Sequence, residues 1–279
     1  MWERRRILIW GKTRPELSKT YREIVCTGGV FEDTKRLVRL YPIPLRYMDD
    51  QQYFKKYQWI EADVMKATSD ARPESYRIRD GSIDVLGLIK TKKGGNWDER
   101  AAWVMQPHNI FSSVEALQNR QQDDGTSLGL VRPKIINAVK SVRYSKTEKD
   151  SFWQRYKDAT AQMDLPLDPD TGREIKPLAP PDFRFKISYS CDDVHCNGHE
   201  MSILDWDIDA LYFNMFQSTG SREVAARKTV EKLEDDVCSD TKDTHFFLGN
   251  ISNHPTTFTI VGLWWPSKKE GDEQITLFG

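Results

Sequence analysis

No apolar run in the 279-residue sequence approaches the roughly 18 residues that a bilayer span requires, so no membrane segment is expected. The N-terminus places Arg4-Arg5-Arg6 before Ile7-Leu8-Ile9-Trp10, which is too short for a signal-peptide core of about 7–15 apolar residues. Cysteine is scarce as well. The chain has four, three of them close to histidines, which suits a reducing cytoplasm better than a disulfide framework. Gly94-Gly95 after Lys92-Lys93 could cradle an anion, but neither a P-loop nor a dinucleotide fingerprint is present, so nothing in the sequence supports nucleotide hydrolysis by those routes.

What is present is a polar, aromatic-rich globular composition, with 38% hydrophobic and 30% charged residues and nine tryptophans. A net charge of −1 conceals an asymmetry. Residues 1–100 carry 21 Lys+Arg against 15 Asp+Glu, whereas residues 182–243 carry 7 against 14. A basic half suits phosphates and an acidic half suits cations, although chance surface variation explains the same numbers.

Short strand signals dominate the first half: Arg6–Trp10, Arg22–Cys26 running into a Gly28-Gly29 turn, Arg36–Tyr41 stopped by Pro42 and Pro44, Trp59–Met65 and Ile83–Lys90. Arg36–Tyr41 alternates charged and apolar residues without a clean register. Together these runs predict a small barrel or strongly curled sheet. Ser112 or Ser113 can cap a helix over Val114–Gln122, Ser127–Pro133 reads as a connector, Ile135–Tyr144 as a strand and Lys149–Met163 as a helix. Five prolines between Leu165 and Pro181 mark a linker, or else a long surface loop. Beyond it, Phe183–Ser190 alternates cleanly as a strand. Ser221 caps a helix reaching Val237, and Thr244–Leu248 and Thr257–Trp265 are apolar strands. The expected fold class is α+β: a β-rich, barrel-like domain with a helical extension over residues 1–164, a linker over 165–181 and an α+β domain over 182–279.

Three constellations can carry chemistry. In the first, Cys191, Cys196 and His199 lie close together, and Gly198 permits the turn a Cys-x2-His knuckle needs. Structural Zn²⁺ would then require a fourth ligand from Cys238, His245 or His254; the alternative is reduced thiols and a hydrogen-bonded histidine. In the second, Asp205, Asp207 and Asp209 would share one face of a strand, where Mg²⁺ or Mn²⁺ relieves their repulsion, with His199 or Glu200 moving protons. On a helix, Asp205 and Asp209 would still share a face; a solvated acidic edge is the bland reading.

The third constellation interleaves cations and aromatics: Lys12, Arg14, Arg22, Arg36, Arg39 and Tyr41, followed by Arg46, Lys55, Lys56, Tyr57 and Arg77. Arginine for phosphate and rings for base stacking are the parts of a nucleic-acid surface, for DNA or RNA alike. Cys26 reads as a buried thiol rather than a nucleophile, because His108 is the only histidine outside the C-terminal group. Trp264-Trp265 reads as core or, if exposed, as a protein contact. The sequence therefore supports a cytoplasmic nucleic-acid-interacting protein, either a metal-dependent phosphodiesterase or nuclease with Asp205, Asp207, His199 and Glu200 at its centre, or a non-catalytic binding module with a structural Cys/His site. A protein-interaction subunit of a larger assembly is the third reading.

Overall fold

The computed structural model describes residues 1–18, 22–44, 48, 50–92, 95–160, 182–251 and 253–268. The linker expected over 165–181 and the candidate cation Arg46 lie outside the described residues. No described helix is long and apolar enough to cross a membrane.

The first hundred residues form β1 (Glu3–Lys12), β2 (Glu16–Ser18), β3 (Arg22–Phe31), β4 (Leu37–Ile43), β5 (Gln58–Lys66), β6 (Ser75–Ile78), β7 (Asp84–Leu88) and helix α1 (Asp98–Val104). Five of these strands close into a barrel in the ring order β1, β3, β4, β6, β5 and back to β1. Every pairing in the ring is antiparallel except β4 with β6. Alternation aims Ile7, Ile9, Val38 and Leu40 into the barrel, while Leu8, Trp10 and Leu37 point outward. Those outward residues are also buried, because the second half of the chain covers them. Burial on both faces is why the sequence around Arg36–Tyr41 shows no clean register.

Two local expectations change. Gly28 and Gly29 are not a turn; they lie within β3, and a Cβ on Gly28 would fall 2.2 Å from the Trp10 ring. Glycine is there for close approach. Pro42 does not stop β4, which runs on to Ile43; it sits where the β3–β4 register slips, a position that needs no ladder donor.

The second half contains β8 (Ile110–Phe111), α2 (Val114–Asp124), β9 (Leu128–Val131), β10 (Ile135–Arg143), α3 (Lys146–Thr160), β11 (Phe183–Ser190) and β12 (His199–Ser202). It continues with α4 (Trp206–Thr219), α5 (Arg222–Asp236), β13 (His245–Ile251) and β14 (His254–Trp264). One sheet has the order β10-β11-β12 and the other β14-β13-β9-β8. The fold class is α+β, a closed barrel followed by helices and sheets. The segment read as a connector, Ser127–Pro133, contains β9, whose four residues are all buried; Gly129 lets Phe111 and Leu117 press against its backbone. The ladder between β10 and β11 joins strands that flank the proline-rich stretch in sequence.

Phe183, Phe185, Ile187 and Tyr189 face a core completed by Ile208 and Tyr212 of α4 and Ala225 and Leu233 of α5. A separate apolar cluster bridges the two halves of the chain. In it Trp10 stacks on Phe247 with ring centroids 4.0 Å apart, and Tyr57 and Trp97 meet Trp264 edge-on. Trp264 is core, and Trp265 packs beside Trp97.

Candidate metal centre and binding cleft

The Cys/His constellation converges. Cys191 follows the end of β11, Cys196 lies in the loop to β12, and His199 begins β12. Gly198, at φ 87°, takes the left-handed conformation that folds the loop back. Cys196 Sγ lies 3.3 Å from His199 Nε2, and the Cys191 amide donates to Cys196 Sγ at 3.2 Å. The fourth residue comes from elsewhere. Glu115 Oε1 is 3.2 Å from His199 Nε2, and ligand atoms of Glu115, Cys191, Cys196 and His199 all lie within 4.8 Å of one another. Cys238, His245 and His254, the fourth ligands expected from sequence, are not in this group.

Glu115 is placed by the start of α2. Ser113 caps that helix, accepting from the Ala116 amide at 3.0 Å, and donates to Asp193 at 2.8 Å, so the cap also docks on the cysteine loop. Burial pushes the Cys191 thiol up to about 12, which makes a lone thiolate costly there. Nothing local in the sequence pointed to Glu115, because its contact with His199 is set by packing of α2 rather than by spacing.

The aspartates adopt the helical alternative, not the strand. Asp205 is the N-cap of α4, accepting from the Asp207 amide, and Asp207 and Asp209 occupy the first turn. Carboxylates are favourable there, against the positive end of the helix dipole. Each also meets a cation from the barrel half. Lys56 Nζ lies 3.0 Å from Asp205 and 3.2 Å from Asp207, and Arg14 Nε lies 3.7 Å from Asp209. Burial opposes the Lys56 charge, but the Asp205 and Asp207 carboxylates outweigh it and hold its pKa above the usual lysine range. Burial raises Asp209 to about 6 and lowers Lys12 to about 8. Glu200 faces away, bridging Lys140 at 2.8 Å and Lys186 at 2.9 Å, contacts that bring its carboxyl down to about 2.

The cation–aromatic set is divided among several environments. Lys12, Arg14 and Lys56 turn toward the junction with α4 or the adjoining barrel wall, and Lys12 donates to the Phe54 carbonyl. Tyr57 is buried under Arg100, and Arg36 and Lys55 are exposed. Arg22 belongs to β3. Arg39, Tyr41 and Arg77 instead meet in one cleft of about 610 Å³.

Four parts of the barrel build this cleft: the segment after β1 (Thr13, Glu16), β3 (Ile24, Cys26), β4 (Arg39, Tyr41) and the loop from β5 into β6 (Ala67, Asp70, Arg72, Tyr76, Arg77). Leu204, Ile251 and Val261 close it from the second half. Arg39 donates to Ser75 and Ser127, while Arg72 pairs with Asp70 and donates to the Asn250 carbonyl at 3.1 Å. Lys66 donates to the carbonyls of Arg72, Pro73 and Ser75 and so pins the loop. Tyr41 and Ile251 remain partly exposed at the rim, at 40% and 44%. Burial pushes the Cys26 thiol up, in keeping with a structural thiol.

A family model described as a domain of unknown function, DUF8757, matches residues 110–279. The chain belongs to the DUF8757 family. A second model, DUF8758, also a domain of unknown function, matches residues 3–106. The DUF8757 stretch thus holds Glu115, Cys191, Cys196 and His199, and the DUF8758 match holds most of the cleft wall. No curated protein matches the chain.

Proposed function

We propose that the protein binds a strand of nucleic acid in the cleft between its barrel and its second half. Support comes from where the cleft lies. Five-stranded Greek-key barrels of the oligonucleotide-binding kind present ligand to their second and third strands and to the loops after the first and fourth. In this ring those elements are β3, β4, the segment after β1 and the loop after β5, and together they line the cleft. Its volume falls in the roughly 300–1,000 Å³ range of ligand sites. Tyr41 offers a ring for stacking, and Arg77 offers charge to a phosphate. Arg39, Arg72 and Lys66 keep the walls in place before a ligand arrives, which lowers the ordering cost of binding.

Phosphodiester hydrolysis draws less support. The carboxylates proposed as Mg²⁺ or Mn²⁺ ligands already neutralise Lys56 and Arg14, and Glu200 neutralises two lysines. Fluorescence anisotropy with labelled single-stranded DNA and RNA tests the binding reading. Affinity should fall steeply between about 50 and 200 mM salt. Tyr41→Ala should weaken binding by about 1–3 kcal/mol, and Arg77→Ala should reduce the salt slope by about 1. Binding that ignores both substitutions, or no binding at low salt, would refute the proposal.

A further inference from the structure

We infer that Glu115, Cys191, Cys196 and His199 hold a single zinc ion in a closed four-ligand site that fastens the start of α2 to the loop between β11 and β12. The first argument is geometric. Zinc bonds of about 2.0–2.3 Å in a tetrahedron put neighbouring ligand atoms roughly 3.3–3.8 Å apart. The contact from Cys196 Sγ to His199 Nε2 is 3.3 Å and that from His199 Nε2 to Glu115 Oε1 is 3.2 Å, with the whole set inside 4.8 Å. Two edges are therefore already close to tetrahedral spacing, and the remaining ligand atoms lie within about 1 Å of it.

The second argument is chemical. Two sulfurs, an imidazole and a carboxylate suit zinc, whereas Mg²⁺ and Mn²⁺ favour sites built from oxygen. The third is an unmet need. Glu115 Oε2 is buried without a hydrogen-bond partner, and a carboxylate oxygen left so beside two thiols calls for a cation. The outer shell is in place too: the Cys191 amide donates to Cys196 Sγ, and the Ser113–Asp193 contact holds the loop against the cap of α2. The contribution of the ion would be local order. The loop from Cys191 to His199 has little apolar content, with Val194 95% exposed, so few packing contacts hold its shape.

The test uses the full chain expressed without added chelator. Metal analysis should give about one zinc per chain. Replacing zinc with Co²⁺ should produce a sulfur-to-cobalt charge-transfer band in the near ultraviolet and the intense visible bands of tetrahedral cobalt. Cys196→Ser and His199→Ala should abolish those bands. Glu115→Gln should weaken zinc affinity by at least the roughly 10–100-fold that loss of an outer-shell partner costs, and Cys238→Ser and His245→Ala should leave affinity unchanged. Because the cobalt spectrum is read on the unmutated protein, misfolding of a variant cannot hide the answer. Wild-type protein that takes up neither ion with a thiolate signature overturns the site. Loss of metal on Cys238→Ser or His245→Ala, with Glu115→Gln unaffected, overturns the choice of fourth ligand.

Discussion

Trp10 lies flat on Phe247 with ring planes 1° apart, donates its indole N–H to the Gly29 carbonyl at 2.8 Å, and fills the space where a Cβ of Gly28 would stand. A methyl group there cannot be relieved by moving a flexible tip, because the ring is held on both sides. Gly28→Ala should therefore cost about 1–3 kcal/mol or more, the usual result of overpacking. Gly87, in β7, would meet nothing within 4 Å, and Gly87→Ala should be neutral or slightly stabilising. Urea denaturation of the two variants beside wild type makes the comparison, and equal stabilities would contradict this account of β3.

Among the elements, the N-terminus of α4 gives a pH signature. Asp209 has its pKa raised by burial to about 6, against about 3.9 for an exposed aspartate. The folded state therefore binds a proton at Asp209 more tightly than the unfolded state does. Its contribution is fully present below about pH 3.9 and is lost as pH rises through 6, a change of roughly 2–3 kcal/mol. Asp209→Asn should raise stability near pH 7–8 and flatten this part of the profile, as read from melting temperatures at pH 5 and pH 8; an unchanged profile would count against the burial argument. In the sequence the start of α4 reads first as a strand edge, with a helix as the alternative, because alternation of Asp205, Asp207 and Asp209 with Trp206 and Ile208 masks the N-cap and first-turn acids that open the helix. β11 could be read because one face is core and the other is wet. β4 and β9 resisted because burial on both faces erases the period, and Glu115 because the partner of a helical residue is fixed only when α2 docks.

The whole molecule is knit by the cluster around Trp10. Leu8, Trp10, Leu37 and Tyr57 from the barrel meet Leu128, Leu130, Phe247 and Trp264 from the second half. Polar ties run beside it: Glu74 accepts from the Ser127 amide and hydroxyl, Arg39 donates to Ser127, and Lys56 reaches α4. The two family matches meet between residues 106 and 110, but the cluster crosses that point. Unfolding in urea should accordingly be a single transition, with tryptophan fluorescence and far-ultraviolet circular dichroism superimposing. Two separated midpoints would show that the halves stand alone. The cleft was invisible in the sequence for the same reason: its walls are contributed by both halves.

The double pairing of β1, with β3 on one side and β5 on the other, makes the main-chain ladder circular. A sheet recruits another copy of itself through strands whose amides and carbonyls face water. Within the barrel the described outer strands are three-residue β2 and five-residue β7, the latter carrying Asp84 and Gly87. Such short rims, with Asp84 and Gly87 interrupting the apolar residues of β7, give the barrel little with which to grow a second sheet onto its own, so crowding should not turn it into a template for self-association.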